Sequence, residues 1–149
     1  MREPEACLVG SRGVESSSPP PRRRRRRAIV LVVEDAFDAR QLYCELLDFH
    51  GFHAEPACDG AEALQKVRVL APDVVLLDLS LPGISGWDVA RALRSHAHTR
   101  TIPIIAITAH ATAPEIDRAR EAGCDSVFVK PAKHAALIEE LRRAVTRTR

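Results

Sequence analysis

No apolar run in this 149-residue chain approaches the roughly 20 residues that a membrane span needs. The longest one after the arginines, Ala28 to Val33, is cut off by Glu34 and Asp35, so neither a membrane helix nor a secretory leader is expected. The four cysteines, Cys7, Cys44, Cys58 and Cys124, are scattered and show no Cys-x-x-Cys spacing. They read as reduced thiols of a cytoplasmic protein, not as a disulfide framework. Glycine and aromatic residues are missing from the run Arg22 to Arg27, which removes the stacking platform that single-stranded nucleic acid prefers.

What is present divides in two. Residues 1–27 hold eight Arg and three Glu, a charge of +5, whereas residues 28–149 hold fourteen basic and seventeen acidic residues, a charge of −3. Ser16 to Ser18, Pro19 to Pro21 and the six arginines show no apolar periodicity, and 1–27 reads as a disordered arm. Such an arm suits electrostatic contact with nucleic acid, an anionic membrane or an acidic partner, or is simply a solvated leader or a start assigned too far upstream.

From Ala28 onward, short apolar runs alternate with amphipathic ones. Ala28 to Val33 is a strand ending in Glu34-Asp35, followed by a helix with Ala39, Leu42, Leu46 and Phe49 on its inward face and Gly51 as its stop. Phe52 to Ala57 contains Pro56, which cannot donate to a ladder, so this strand belongs at a sheet edge. Asp59-Gly-Ala-Glu62 predicts a capping box for a helix reaching Leu70. Val74 to Leu77 is a strand buried on both faces, with Asp78 where it leaves the core, and a helix from Ser85 carries Val89 and Leu93 inward. Ile102 to Thr108 is a fourth strand, Thr112 to Glu115 caps a helix ending at Gly123, and Val127 to Val129 is a fifth strand running into Lys130-Pro131. A last helix is striped by Leu137, Ile138, Leu141 and Val145.

Five strand–helix units predict an α/β fold: a flavodoxin-like, doubly wound, five-stranded parallel sheet of order 2-1-3-4-5 with helices on both faces. That order opens a crevice between strands one and three, where Glu34, Asp35 and Asp78 converge. Three carboxylates at one place repel unless a cation neutralises them. Oxygen ligands without His or Cys suit Mg²⁺, which takes its remaining oxygens from water and phosphate. Thr108 and Lys130, at the ends of strands four and five, offer a hydroxyl donor and a fixed positive charge to a transferring phosphoryl group. Asp78 is then the nucleophile.

These residues resemble the receiver domain of two-component response regulators, over about 28–146. Val32-Val-Glu-Asp35 is similar to the family's metal-binding acid pair, Leu77-Asp78-Leu79 with Pro82-Gly83 to its phosphoacceptor strand and loop, Thr108-Ala109 to its signalling hydroxyl and small neighbour, and Lys130-Pro131 to its lysine and proline. The resemblance implies that Asp78 accepts a phosphoryl group from a sensor histidine kinase or histidine phosphotransfer protein. It implies Mg²⁺ held by Asp35, Asp78 and the Ser80 backbone carbonyl, with Glu34 acting mostly through water. Thr108 swings toward the phosphoryl group, Lys130 pairs with its oxygens, and the Lys130-Pro131 bond is commonly cis. Ser80 and His110 occupy positions that flank the path of hydrolytic water.

One departure concerns readout. The family usually has Tyr or Phe three residues before the lysine, where this chain has Val127, and Phe128 faces the other side of the strand. With the last helix ending near Thr146 and 147–149 left as a tail, the chain reads as a stand-alone, chemotaxis-regulator-like receiver with a protein target. The alternative is a degenerate receiver that works as a phosphorylation-independent protein or nucleic-acid interaction module. A phosphatase of the haloacid dehalogenase type needs a second Asp where Ser80 stands. A flavodoxin-type flavin binder needs a phosphate loop where Glu34-Asp35 would repel it.

Overall fold

A computed structural model describes residues 26–148; Cys7 and all of the arm save Arg26 and Arg27 lie outside the described residues. The apolar runs form β1 (Ile29–Val33), β2 (His53–Ala57), β3 (Val74–Asp78), β4 (Ile104–Thr108) and β5 (Ser126–Val129). All pair in parallel, in the order β2-β1-β3-β4-β5. The helices are α1 (Phe37–Phe49), α2 (Gly60–Leu70), α3 (Gly86–Ser95), α4 (Ala113–Ala122) and α5 (His134–Thr148). None of the described helices is long and apolar enough to cross a membrane.

Period-two alternation along each buried strand gives two cores. Leu31, Val33, Val75 and Leu77 pack with Ala63, Val67, Val89, Leu93 and Ala119 of α2, α3 and α4. Their strand neighbours Val30, Val32, Val74 and Leu76 pack with Tyr43 and Leu47 of α1 and with Leu137, Ile138 and Leu141 of α5. Both faces of the central strands are therefore dry, and polar side chains are accommodated only where the strands end.

The inward face of α1 differs from the expected one. Tyr43 and Leu47 are buried, whereas Leu42 is 54% exposed and Phe49 85%. The helix carries two overlapping apolar stripes, and docking selects the one through Ala39, Tyr43 and Leu47. Phe52, 5% exposed, joins the same core as Tyr43 and Leu47 just beyond the end of the helix. Local details also shift, and β4 begins at Ile104 rather than at Ile102. The α2 cap is offset by one residue: Asp59 Oδ1 accepts from the Glu62 N–H at 2.8 Å, while the Glu62 carboxylate accepts from the Cys58 N–H at 2.9 Å rather than from that of Asp59. Arg147 and Thr148, expected as tail, are the last residues of α5.

Candidate functional site

The carboxyl edge of the sheet gathers the polar residues that the strands cannot bury along their length. Glu34 follows β1, Asp78 ends β3, Thr108 ends β4 and Lys130 follows β5; Glu34, Asp78 and Thr108 are all 5% exposed or less. Lys130 bridges the first two, its Nζ 2.6 Å from Glu34 Oε2 and 3.1 Å from Asp78 Oδ2. Asp35, exposed, joins Glu34 and Asp78 so that each offers an oxygen within 4.8 Å of the others. Three carboxylates against one ammonium leave an excess of two negative charges.

The electrostatics follow from burial. Desolvation pushes the Glu34 carboxyl above its ordinary value, opposed by the Lys130 hydrogen bond and reinforced by the Asp78 charge. Desolvation pulls Lys130 the other way, but its bonds to Glu34 and Asp78 outweigh it and hold the ammonium above 10.5. Lys130 is thus a fixed cation across the physiological range.

Backbone groups complete the setting. The Ser80 N–H donates to Asp78 Oδ1 at 2.9 Å, and the Ala36 N–H to Glu34 Oε1 at 3.3 Å. Lys130-Pro131 is cis, matching the resemblance. Thr108 lies on the strand next to Asp78, but its hydroxyl donates to the His110 carbonyl at 2.9 Å and accepts from the His110 N–H at 3.2 Å. His110 engages the site edge through its backbone, and its side chain, like Ser80, is exposed. Val127 packs against the core of α2, α3 and α4, and Phe128 against the opposite one, so β5 carries no aromatic ring on the Val127 face. On that face Trp87 is half-buried, with the Arg118 guanidinium 4.3 Å above its ring.

Two contributors escaped the sequence reading. Arg40 Nη1 reaches back from α1 to the carbonyls of Glu34 at 2.9 Å and Asp35 at 3.3 Å, fixing the backbone of the acid pair; its place one helical turn after the pair is a signal available in sequence. Gly86 packs against the end of β3 so closely that a Cβ there would lie 2.4 Å from the Asp78 carbonyl oxygen and 2.5 Å from Leu79 Cα. No linear pattern marks that contact.

The set is oxygen-only, carries excess negative charge and is open at Asp35, which fits a hard divalent cation such as Mg²⁺. Relatives agree with the architecture. The response regulator receiver domain profile matches residues 30–142. The polar-differentiation response regulator DivK of Brucella anthropi is 34% identical over 112 residues, covering 75% of this chain and 91% of that protein. The DNA-binding response regulator MtrA of Mycobacterium tuberculosis is 37% identical over 117 residues, which is 78% of this chain but 50% of MtrA; the chain spans about half the length of such relatives. Among solved structures, the chemotaxis response regulator CheY4 of Vibrio cholerae superposes with a TM-score of 0.74 at 29% identity, covering 79% of this chain and 98% of that one. The receiver domain of a Pseudomonas aeruginosa sensor histidine kinase, solved with magnesium coordinated in its active-site cleft, gives 0.75 at 28% identity, covering 80% and 98%. With a matching family profile over residues 30–142 and a relative 34% identical that it covers to 91%, the chain belongs to the response regulator receiver domain family.

Proposed function

We propose that residues 28–146 work as a phosphoacceptor module in phosphorelay signalling and that Asp78 carries the phosphoryl group. The observation that supports this best is the Lys130 ammonium bridging the buried Glu34 and Asp78 carboxylates beside Asp35. An Asp78 oxygen attacks phosphorus of a phosphohistidine on a sensor kinase or phosphotransfer protein. The P–O bond forms as the P–N bond breaks, and the electron pair leaves on the imidazole nitrogen.

Asp35, Asp78 and the Ser80 carbonyl, with Glu34 through water, would hold Mg²⁺, which when bound neutralises charge on the phosphoryl oxygens. Lys130 contributes a positioned cation whose contact shifts from the Asp78 carboxylate to a phosphoryl oxygen. Thr108 leaves His110 and donates its hydroxyl to another. The protein is a signalling acceptor that promotes its own modification, not a turnover enzyme.

The test is the intact mass of the full chain after incubation with Mg²⁺ and acetyl phosphate, beside Asp78→Asn and an EDTA control. One added phosphoryl group, absent in both controls, is the expected result. Labelling that persists in Asp78→Asn would remove Asp78 from the role.

A further inference from the structure

At the opposite edge of the sheet, a cleft of about 320 Å³ opens between the α3–β4 connection and the last turn of α5. Its walls carry Arg94, Arg100 and Arg147, the hydroxyl-bearing Thr101 and Thr148, and one carboxylate, Asp125.

Arg94 is the floor and is fully engaged. Its Nε donates to the Gly123 carbonyl at 3.0 Å, its Nη1 to the carbonyls of Arg100 at 2.8 Å and Ile102 at 2.7 Å, and its Nη2 to Asp125 at 3.0 Å. A Cβ on Gly123 would fall 2.4 Å from Arg94 Cγ, so only glycine lets this side chain pass. Asp125 is engaged twice, by Arg94 and by the Ile104 N–H at 2.8 Å.

The other two guanidinium groups are not so answered. Arg100 has no ion pair or side-chain hydrogen bond among the described residues. Arg147 makes one contact, from Nη2 to Glu140 at 3.2 Å, and Glu140 is shared with Ser126 and Arg143. One unpaired and one singly paired arginine therefore line a single concavity whose one lining carboxylate, Asp125, is bonded through Oδ2 to Arg94 and the Ile104 N–H. The carbonyl end of α5 contributes about half a negative charge there and Glu140 offsets part of the Arg147 charge, which leaves the Arg100 charge unanswered.

We propose that this cleft binds a phosphate-bearing small molecule of about nucleotide size, through Arg100 and Arg147. Each guanidinium pairs with two oxygens in its own plane. A carboxylate satisfies one such fork, whereas a phosphate group presents oxygens to both. The volume lies at the lower end of the range of small-ligand sites. Traversing β4 from Ile104 to Thr108 separates the cleft from the Asp78 edge by about 13 Å, so the two sites can be scored independently.

The experiment is calorimetric titration of the full chain, at low salt, with sodium pyrophosphate and with ADP. Saturable one-to-one binding of either probe is expected, weakened about tenfold or more when Arg100→Ala and Arg147→Ala are combined, because each charge-assisted contact is lost. Arg100→Lys should fall between, keeping the charge without the fork. Replacing Arg22, Arg23, Arg24 and Arg25 with Gln in the full chain should leave binding unchanged, and all variants should still be labelled by acetyl phosphate. No saturable binding, binding that survives the double alanine variant, or binding lost with the arm substitutions would each overturn the assignment; the last would transfer it to the arm.

Discussion

Replacing Gly86 with alanine pits two opposite expectations against each other. Helix propensity alone favours alanine, by at most the roughly 0.5–1 kcal/mol of a helix interior, since Gly86 is the first residue of α3. The structure says otherwise: the added Cβ would sit 2.4 Å from the Asp78 carbonyl oxygen and 2.5 Å from Leu79 Cα, about 1 Å inside ordinary contact. Both obstacles are backbone at the end of β3 and the start of the loop that follows it, so no side-chain rotation relieves them. Either α3 lifts from the sheet, loosening Val89 and Leu93 in a core where both are buried, or the end of β3 shifts. Overpacking of this kind typically costs about 1–3 kcal/mol, enough to reverse the propensity gain. Urea denaturation of Gly86→Ala should therefore show a net loss of roughly 1–2 kcal/mol, with slower labelling by acetyl phosphate because the Asp78 carboxylate moves with its carbonyl. A variant as stable as the parent, or more so, would refute the close-approach argument.

Further outcomes follow from the ion pairs. Lys130→Met leaves Glu34 and Asp78 buried without their shared cation, and should destabilise the domain by about 2 kcal/mol near neutral pH. That deficit should shrink on acidification, as Glu34 takes up a proton, and thermal melts of both proteins across pH read it directly. Because the bridge holds Lys130 above 10.5, its contribution is complete below that pH and is lost as pH rises through the folded value; the parent should lose stability there faster than the variant. Glu62, which accepts from the Cys58 thiol and N–H, is lowered from 4.5 to about 2. Its contribution is present above 4.5 and disappears as pH falls toward 2. After discounting for its partial exposure this amounts to about 1 kcal/mol, seen as a parent-minus-Glu62→Gln difference in urea midpoints that vanishes in acid.

The strands were legible because their apolar runs are short, continuous and bounded by polar residues, and the polar ends of those runs are what the fold gathers at one edge. The α1 face was not, since Leu42 and Tyr43 each begin an acceptable helical stripe and only docking against Phe52 and the sheet decides between them. The acid pair and Lys130 stood out by position at strand ends. Gly86 did not, because its importance is a distance between two backbones. The Arg100–Arg147 cleft is likewise invisible in one dimension: nothing in the spacing of those residues says that the end of α5 returns to the start of β4.

The edge strand β2 has a consequence for how copies of the chain can meet. Its pairing with β1 leaves positions 54 and 56 facing outward. The Ala54 N–H is already taken by Asp48 Oδ1 at 3.1 Å, Pro56 has no N–H, and the Pro56 carbonyl accepts from Lys66. A free strand arriving at that border finds no free donor at these positions, and of the two outward carbonyls only that of Ala54 is left to accept. With one acceptor and no donor, the ladder gains little by growing on this side, and association here is left mainly to side chains of the flanking helices, which can be made specific and reversible in a way that backbone zippering cannot.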